Sequence, residues 1–255
     1  MSGSGSLDVL AFGAHPDDVE LWCGGIVCSI TESGYSAGVV DLTGGELGSR
    51  GTPEVRREEA AAASEIMALS ARENLGISDG DIADSMENRL KVIRTVRKFR
   101  PRVVLAGAPH CRHPDHDAAT RLVVRSLFYS GLRKVETAGS DGESQRPFRP
   151  DHVLHYMQAL LFTPTLVVDV SHVWDRRMEA VRAYASQFFN PDYAAEEDEP
   201  ETFVSTASFL RWIEARARTL GYAIGADYAE GLLYRSGPMG VSDLMRVLER
   251  SRVHK

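Results

Sequence analysis

The sequence predicts an α/β fold in which helices flank a mostly parallel β-sheet. Short apolar runs alternate with longer helical segments along the chain, as expected for consecutive strand–helix units. Two similar motifs, His-Pro-Asp-Asp at residues 15–18 and His-Pro-Asp-His at residues 113–116, each follow an apolar run. Because open α/β sheets bind ligands beyond the carboxyl ends of their strands, we expect a functional site at that edge.

The predicted strands are short apolar runs, the pattern of strands buried in a parallel sheet. In chain order they cover residues 8–13, 37–42, 102–106, 153–158 and 166–170. The predicted helices lie between and after them and cover residues 19–33, 54–69, 85–100, 118–129, 173–186 and 203–220. Gly34 ends the first helix and Pro53 opens the second, since proline is tolerated in a first helical turn.

The chain contains no linker long enough to separate two domains. We predict a flexible leader over residues 1–6, one domain over residues 7–235 and an amphipathic C-terminal tail over residues 236–255. Two irregular stretches interrupt the domain, a polar loop at residues 136–150 and an acidic segment at residues 190–201. The acidic segment is a candidate lid or rim for a binding site.

The composition limits the classes of partner. The 255 residues carry a formal net charge of −7, which disfavours a nucleic-acid partner because its phosphates would be repelled. We interpret the basic residues between positions 94 and 102, Arg97 among them, as the solvated face of a helix. No apolar run approaches a membrane span, and the three cysteines form no Cys-x-x-Cys pair. We therefore expect a cytoplasmic protein without membrane contact.

The two motifs contain candidate metal ligands. His15 and Asp18 lie about one helical turn apart, and His116 occupies in the second motif the position of Asp18 in the first. Two imidazoles and a carboxylate can hold zinc and leave a position for water, and Fe²⁺ or Co²⁺ suits the same ligands. Alternatively, Pro16 and the aspartates merely begin a helix, with one carboxylate as its N-cap. That alternative leaves the histidines unexplained, so we favour a metal site.

Asp17 and His113 remain available for acid–base chemistry. Adjacent carboxylates diverge, so we expect Asp18 on the metal and Asp17 on the water that the metal binds. Zinc lowers the pKa of such a water to about 7, so that a carboxylate can accept its proton at neutral pH. His113 can then polarise a carbonyl or stabilise an oxyanion, while Asp115 can orient a histidine. These roles predict a metal-dependent hydrolase.

The glycine-rich loop at residues 43–51 fits neither the dinucleotide-binding fingerprint nor the P-loop. We interpret it as a substrate-contacting loop, with Glu46 and Arg50 as candidate substrate-binding residues. Arg56 begins the next predicted helix and could reach an anionic group or an oxyanion. Its spacing from Glu59 is equally consistent with a surface arginine, and the spacing alone leaves both interpretations open.

Both motifs resemble the signatures of the LmbE-like, or PIG-L, superfamily of zinc-dependent deacetylases, the first as Ala-His-Pro-Asp-Asp-Val-Glu at residues 14–20. The resemblance extends over about residues 7–235, and segments such as 183–188 and 228–231 are similar to the bacillithiol-biosynthesis branch. It implies a Rossmann-like fold. It also implies these residue roles: zinc ligands His15, Asp18 and His116, general base Asp17, charge-stabilising acid His113 and substrate or oxyanion ligand Arg56.

The implied reaction is hydrolysis of the N-acetyl group of an N-acetylglucosamine conjugate, which in that branch is N-acetylglucosaminyl malate. Relatives in the family often form trimers or hexamers. As a departure from the family pattern, Phe209 stands where some relatives have a pocket tyrosine, a role that Tyr193 could take. The nearest alternative is deacetylation or amide hydrolysis of another N-acetyl sugar or thiol conjugate. A non-catalytic sugar- or metal-binding protein is disfavoured, because binding alone needs neither Asp17 nor His113.

Overall fold

The structure is a computed structural model that describes residues 6–193 and 199–238, together with residues 240 and 242. The predicted leader lies outside the described residues except for Ser6. Most of the predicted C-terminal tail also lies outside them, as do residues 194–198 of the predicted lid segment.

The described residues form one sheet of seven strands. In chain order these are β1 (Val9–Gly13), β2 (Ala37–Asp41), β3 (Ala71–Asn74), β4 (Val103–Ala106), β5 (His152–Tyr156), β6 (Leu166–Asp169) and β7 (Ala229–Tyr234). Their order across the sheet is β3-β2-β1-β4-β5-β7-β6. The first five strands in that order are parallel, and β7 is antiparallel to both of its neighbours. The predicted mostly parallel sheet is therefore confirmed.

Six α-helices connect or follow these strands in the described chain. They are α1 (Asp18–Glu32), α2 (Pro53–Ile66), α3 (Met86–Phe99), α4 (Pro114–Ser130), α5 (Trp174–Arg182) and α6 (Ala207–Ile224). Side chains that favour N-caps begin several of them, as where Ser85 accepts a hydrogen bond from the N–H of Asn88. None of the helices described is long and apolar enough to cross a membrane.

The helices cover both faces of the sheet. Because side chains alternate along a strand, Val9 and Ala11 pack on one face and Leu10 and Phe12 on the other. Residues of α1, α2, α5 and α6 complete the first core, and residues of α3 and α4 complete the second. Burial on both faces explains why the parallel strands are continuous apolar runs in the sequence.

Two strands were missed by the sequence analysis because polar residues interrupt them. β3 is a polar strand at the edge of the sheet, and its Arg72 pairs with Asp41 of β2. β7 contains the buried Glu230, whose carboxylate accepts hydrogen bonds from the N–H groups of Gly25 and Ile26. These partners lie far away in sequence, so local hydrophobicity could not reveal either strand.

Three helix predictions are wrong by four residues at one or both ends, and α6 covers Ala207–Ile224 rather than residues 203–220. α4 begins at Pro114 rather than near residue 118, so the second motif forms its first turn and His113 is its N-cap. α5 ends at Arg182 rather than near residue 186.

The predicted solvated face of α3 is wrong for Arg97. This residue is buried, and its guanidinium donates hydrogen bonds to the backbone oxygens of Ser130, Leu132 and Val135. The segment that follows α4 covers this side of α3. Arg97 donates hydrogen bonds to backbone carbonyl groups at the end of α4 and in that segment.

Candidate active site

The two motifs meet at the carboxyl edge of the sheet. β1 and β4 are neighbouring parallel strands, with Val9 opposite Val103 in the register. The first motif follows β1 and leads into α1, and the second follows β4 and leads into α4. Because parallel strands end at the same edge, His15 and Asp115 come within 3.3 Å of each other although they lie 100 residues apart.

His15, Asp18 and His116 converge so that one ligand atom from each lies within 4.8 Å of the others. Nε2 of His116 is 3.1 Å from Oδ1 of Asp18, and Nδ1 of His15 is 3.6 Å from Oδ2 of the same carboxylate. The N–H groups of Ala14 and His15 donate hydrogen bonds to Oδ2 and fix the carboxylate in place. The structure thus brings together the three ligands that the sequence predicted.

The electrostatics of this ligand set fit a cation. Burial raises the pKa of Asp18, but His116 and the hydrogen bonds from both histidines hold it well below its ordinary value. Burial lowers the pKa of His15 and His116, yet Asp18 and other neighbours outweigh this effect and raise them to about 11 and about 10. The surroundings of Asp18 therefore favour positive charge beside its carboxylate, which a divalent cation would supply.

Polar side chains contact ring nitrogens of His15 and His116 and orient both rings. Nε2 of His15 is 3.0 Å from Oδ1 of Asp79 and 3.3 Å from Oδ2 of Asp115. Nδ1 of His116 is 2.9 Å from Nε2 of Gln158 and 3.2 Å from Sγ of Cys111. Contacts of this kind set the ring orientation and tautomer of a metal-ligating histidine.

Asp79 and Gln158 are site residues that the sequence analysis missed. Asp79 lies in a turn before Gly80, and Asp-Gly pairs are too common in turns to indicate a site. Gln158 follows β5, and its position beyond another strand end was the available signal. His15, His113 and Asp115 also lie within 4.8 Å of one another, so the second motif surrounds His15 closely.

Asp17 enters the site from a strained backbone. Its φ of 118° and ψ of −24° are rare for a residue with a side chain, and such strain is concentrated at functional sites. Burial raises the pKa of Asp17 to about 7, while the guanidinium of Arg56 limits the rise. A carboxyl group with a pKa near neutrality can accept a proton and release it again at neutral pH.

Arg56 belongs to the site, and the surface alternative is wrong. The residue is 4% exposed, and its guanidinium donates hydrogen bonds to Oδ2 of Asp17 and to the backbone oxygen of Pro16. Glu59 instead accepts from the N–H of Ser186. The glycine-rich loop makes room for the guanidinium, because a Cβ on Gly45 would lie only 3.1 Å from Cζ of Arg56.

His113 lies beside the ligand set with its ring partly exposed. The ring stacks on that of His116 with 4.7 Å between centroids. Nδ1 accepts a hydrogen bond from the N–H of Asp115 at 3.3 Å, so the neutral ring carries its proton on Nε2. Burial and the neighbouring histidines lower the pKa of His113. A neutral imidazole in this position can donate a hydrogen bond to a substrate oxygen.

A cavity of about 590 Å³ opens in front of these residues. This volume falls within the usual range for small-molecule sites, about 300–1,000 Å³. Its polar half is formed by the two motifs, Arg56 and Asp79. Its apolar half is lined by Leu21, Trp22, Phe188, Phe203, Val204, Phe209 and Trp212.

Three predicted residues do not line this cavity as the structure describes it. Glu46 accepts a hydrogen bond from the N–H of Asp79, and Arg50 donates to the backbone oxygen of Ser186. These side chains tie the glycine-rich loop to its neighbours. The hydroxyl of Tyr193 contacts the carboxylate of Glu199 instead of the reaction centre.

A carboxyl group poised to accept protons beside a cation-binding cluster points to hydrolysis, since both serve to activate water. Comparisons with known proteins define this class of hydrolase further. Residues 10–127 match the PIG-L family, described as GlcNAc-PI de-N-acetylase. Diacetylchitobiose deacetylase from Thermococcus kodakarensis is 30% identical over 248 residues, which cover 90% of this chain and 83% of that protein. The chain belongs to the PIG-L family of deacetylases, hydrolases that act on amide bonds.

Two further similarities are to a solved structure and to a second relative. The crystal structure of the conserved protein TT1542 from Thermus thermophilus has 39% sequence identity and a TM-score of 0.81, covering 92% of this chain and 98% of that one. This similarity confirms the predicted α/β fold. The probable N-acetyl-alpha-D-glucosaminyl L-malate deacetylase 2 from Bacillus cereus is 26% identical over 227 residues, 81% of this chain and 94% of that protein.

Proposed function

We propose that this protein hydrolyses the N-acetyl group of an N-acetylglucosamine conjugate in a zinc-dependent reaction that yields acetate and a free amine. The observation that carries the proposal is the convergence of Asp17 and His113 on the predicted ligand set inside one cavity. Relatives named as deacetylases of diacetylchitobiose and of N-acetylglucosaminyl malate support an N-acetyl sugar as the substrate class.

In this proposal His15, Asp18 and His116 hold the zinc ion. Three protein ligands with nitrogen and oxygen donors are typical of catalytic zinc, which needs an open position. When bound, zinc acidifies a water molecule and polarises the amide carbonyl. Because Fe²⁺ and Co²⁺ suit the same ligands, metal analysis of the purified protein tests the choice of metal.

Asp17 is the general base and accepts a proton from the attacking water. Arg56 orients its carboxylate through the hydrogen bond to Oδ2. His113 donates from Nε2 to the carbonyl oxygen as negative charge develops there, the usual task of an oxyanion donor. The proton on Asp17 then passes to the leaving amine nitrogen, which returns the carboxylate to its starting state.

Two candidate substrates differ in the aglycone that is attached to N-acetylglucosamine. N-Acetylglucosaminyl malate, the substrate that the sequence resemblance implies, is supported by the Bacillus cereus relative and by Arg112, which lines the cavity. N,N′-Diacetylchitobiose is supported by the Thermococcus kodakarensis relative. Arg56 is less suited to bind a malate carboxylate because its guanidinium is bonded to Asp17.

Acetate release tests the proposal. N-Acetylglucosaminyl malate, diacetylchitobiose and plain N-acetylglucosamine are offered to zinc-loaded and chelator-stripped protein. Zinc-dependent release from any of them supports the deacetylase, and a strong preference for the malate conjugate supports the bacillithiol branch. Tight zinc binding without release from any N-acetyl sugar would contradict the proposal and favour a non-catalytic sugar- or metal-binding protein.

The proposal also includes assembly into trimers or hexamers and a cytoplasmic location. The family resemblance is the support for the assembly. Light scattering of the purified protein measures the number of subunits, and a monomer at micromolar concentration would contradict this part alone.

A further inference from the structure

The apolar half of the cavity is a series of aromatic rings that hold one another in place. The ring of Phe209 lies 6.3 Å from that of Phe188, 5.2 Å from that of Phe203 and 5.7 Å from that of Trp212, measured between centroids. Trp212 in turn lies 6.2 Å from Trp22. We call these five residues the aromatic wall. Mutual packing of this kind stabilises the position of each ring.

The outer part of the aromatic wall is accessible to a ligand. Phe203 is 64% exposed and Trp212 is 37% exposed, although both line the cavity. Leu47 of the glycine-rich loop lines the same cavity and is 70% exposed. A ligand that covers these side chains would remove apolar surface from water on both sides of the contact, which favours binding.

The wall is poorly suited to an aglycone with two carboxylates. Of the two arginines that line the cavity in the described part of the chain, Arg56 is bonded to Asp17. The guanidinium of Arg112 lies 5.3 Å from the ring centroid of Phe203 and can meet one carboxylate. Arg216 lies against Trp22 and Trp212, but its guanidinium donates to the backbone oxygens of Met157 and Gln158, and Arg216 is not among the residues that line the cavity. A second carboxylate placed on the wall would lose its water without gaining a free cation, and that loss is costly.

We propose that the aromatic wall is the aglycone subsite and that it binds an apolar aglycone, an alkyl or aryl group linked to N-acetylglucosamine. The inference rests on the proposed deacetylase function and names the substrate class within it. With the N-acetyl group at the ligand set, the aglycone extends over Phe203 and Trp212. Each methylene group buried there improves binding by a factor of about three to four.

A series of methyl, butyl and octyl N-acetylglucosaminides, in both anomeric forms, tests the aglycone subsite. We expect kcat/KM for the preferred anomer to rise at least about tenfold from methyl to butyl. We also expect kcat/KM for the butyl glycoside to exceed kcat/KM for N-acetylglucosaminyl malate. Equal kcat/KM values along the series, or a preference for the malate conjugate, would overturn the inference while leaving the deacetylase function intact.

Matched variants locate the effect on the wall. Phe203→Ala should flatten the dependence of kcat/KM on chain length, and its high exposure makes misfolding a poor explanation for the change. Phe128→Ala is the control, because Phe128 is 58% exposed on α4 and is not among the residues that line the cavity. An unchanged chain-length dependence in Phe203→Ala, or an equal loss in Phe128→Ala, would contradict the assignment.

A binding measurement separates this inference from the proposed function. Because Trp22 and Trp212 line the cavity, their fluorescence should report octyl N-acetylglucosaminide even without turnover. Tighter binding of the octyl than of the methyl glycoside, weakened by Phe203→Ala, supports the subsite even when no substrate releases acetate. Equal affinities of the two glycosides would overturn the subsite whether or not the protein is a deacetylase.

Discussion

Nη2 of Arg56 lies 3.0 Å from Oδ2 of Asp17, and this ion pair joins residues that are 39 positions apart. It connects the first turn of α2 to the N-cap of α1, with side-chain exposures of only 5% and 17%. The permanent charge of the guanidinium opposes the rise in pKa that burial imposes on Asp17. The pair therefore sets the pH range in which the proposed base is ionised.

Replacing Arg56 by Met should move the acidic limb of the activity profile. Without the guanidinium the pKa of Asp17 rises above about 7, and the active, ionised form is lost at a higher pH. We expect the limb of kcat/KM to shift upward by about one pH unit or more. Arg57→Met, on the exposed side of the same helix, is the matched control. An unshifted limb in Arg56→Met would mean that the pair does not govern the base.

Asp17 and the ligand set should respond differently to substitution. Asp17→Asn should reduce kcat by about 10²–10⁴-fold while zinc remains bound, because the substitution removes the proton acceptor and none of the three candidate ligands. His15→Ala should lose both zinc and activity. Metal analysis after dialysis, together with acetate release, distinguishes the two variants. Equal loss of zinc in both would refute the proposed division of roles.

Cys111 should contribute to metal affinity through His116. Its Sγ lies 3.2 Å from Nδ1 of that histidine, on the side away from Asp18. Cys111→Ala removes one of two partners that orient the ring, so we expect zinc affinity to fall about tenfold. Competition with a chelator measures this change. Cys28 is a buried cysteine on α1, and the control variant Cys28→Ala should leave zinc affinity unchanged.

Arg72 should be important for stability. Its guanidinium bonds Glu20 at 2.6 Å and Asp41 at 2.7 Å, and both carboxylates are buried. Arg72→Met leaves those charges without their cation, so the free energy of unfolding should fall by about 3–5 kcal/mol. Urea denaturation measures it. The double variant Arg72→Met/Glu20→Gln should lose less than the sum of the single losses, and strict additivity would count against direct coupling.

The candidate ligands could be predicted from the sequence because their placement depends on local features. His15 and Asp18 follow an apolar run, and so does the segment that contains His116. An apolar run of that length predicts a buried strand, and parallel strands end at a common edge. The chemical types of the side chains then indicated a metal site before any contact was known. Five of the seven strands of the described sheet followed from the same reasoning.

Only the tertiary structure decided how the rest of the site is assembled. Whether Arg56 faces solvent or Asp17 depends on how the glycine-rich loop folds over it, and spacing along one helix contains no such information. Asp79 reaches the cavity from a turn without a recognisable pattern, and the aromatic wall combines rings of α1 and α6 with Phe188 and Phe203 from the chain between α5 and α6. The polar strands β3 and β7 form because Arg72 and Glu230 find distant buried partners. Local sequence determines which residues can serve a site, whereas long-range packing determines which of them meet.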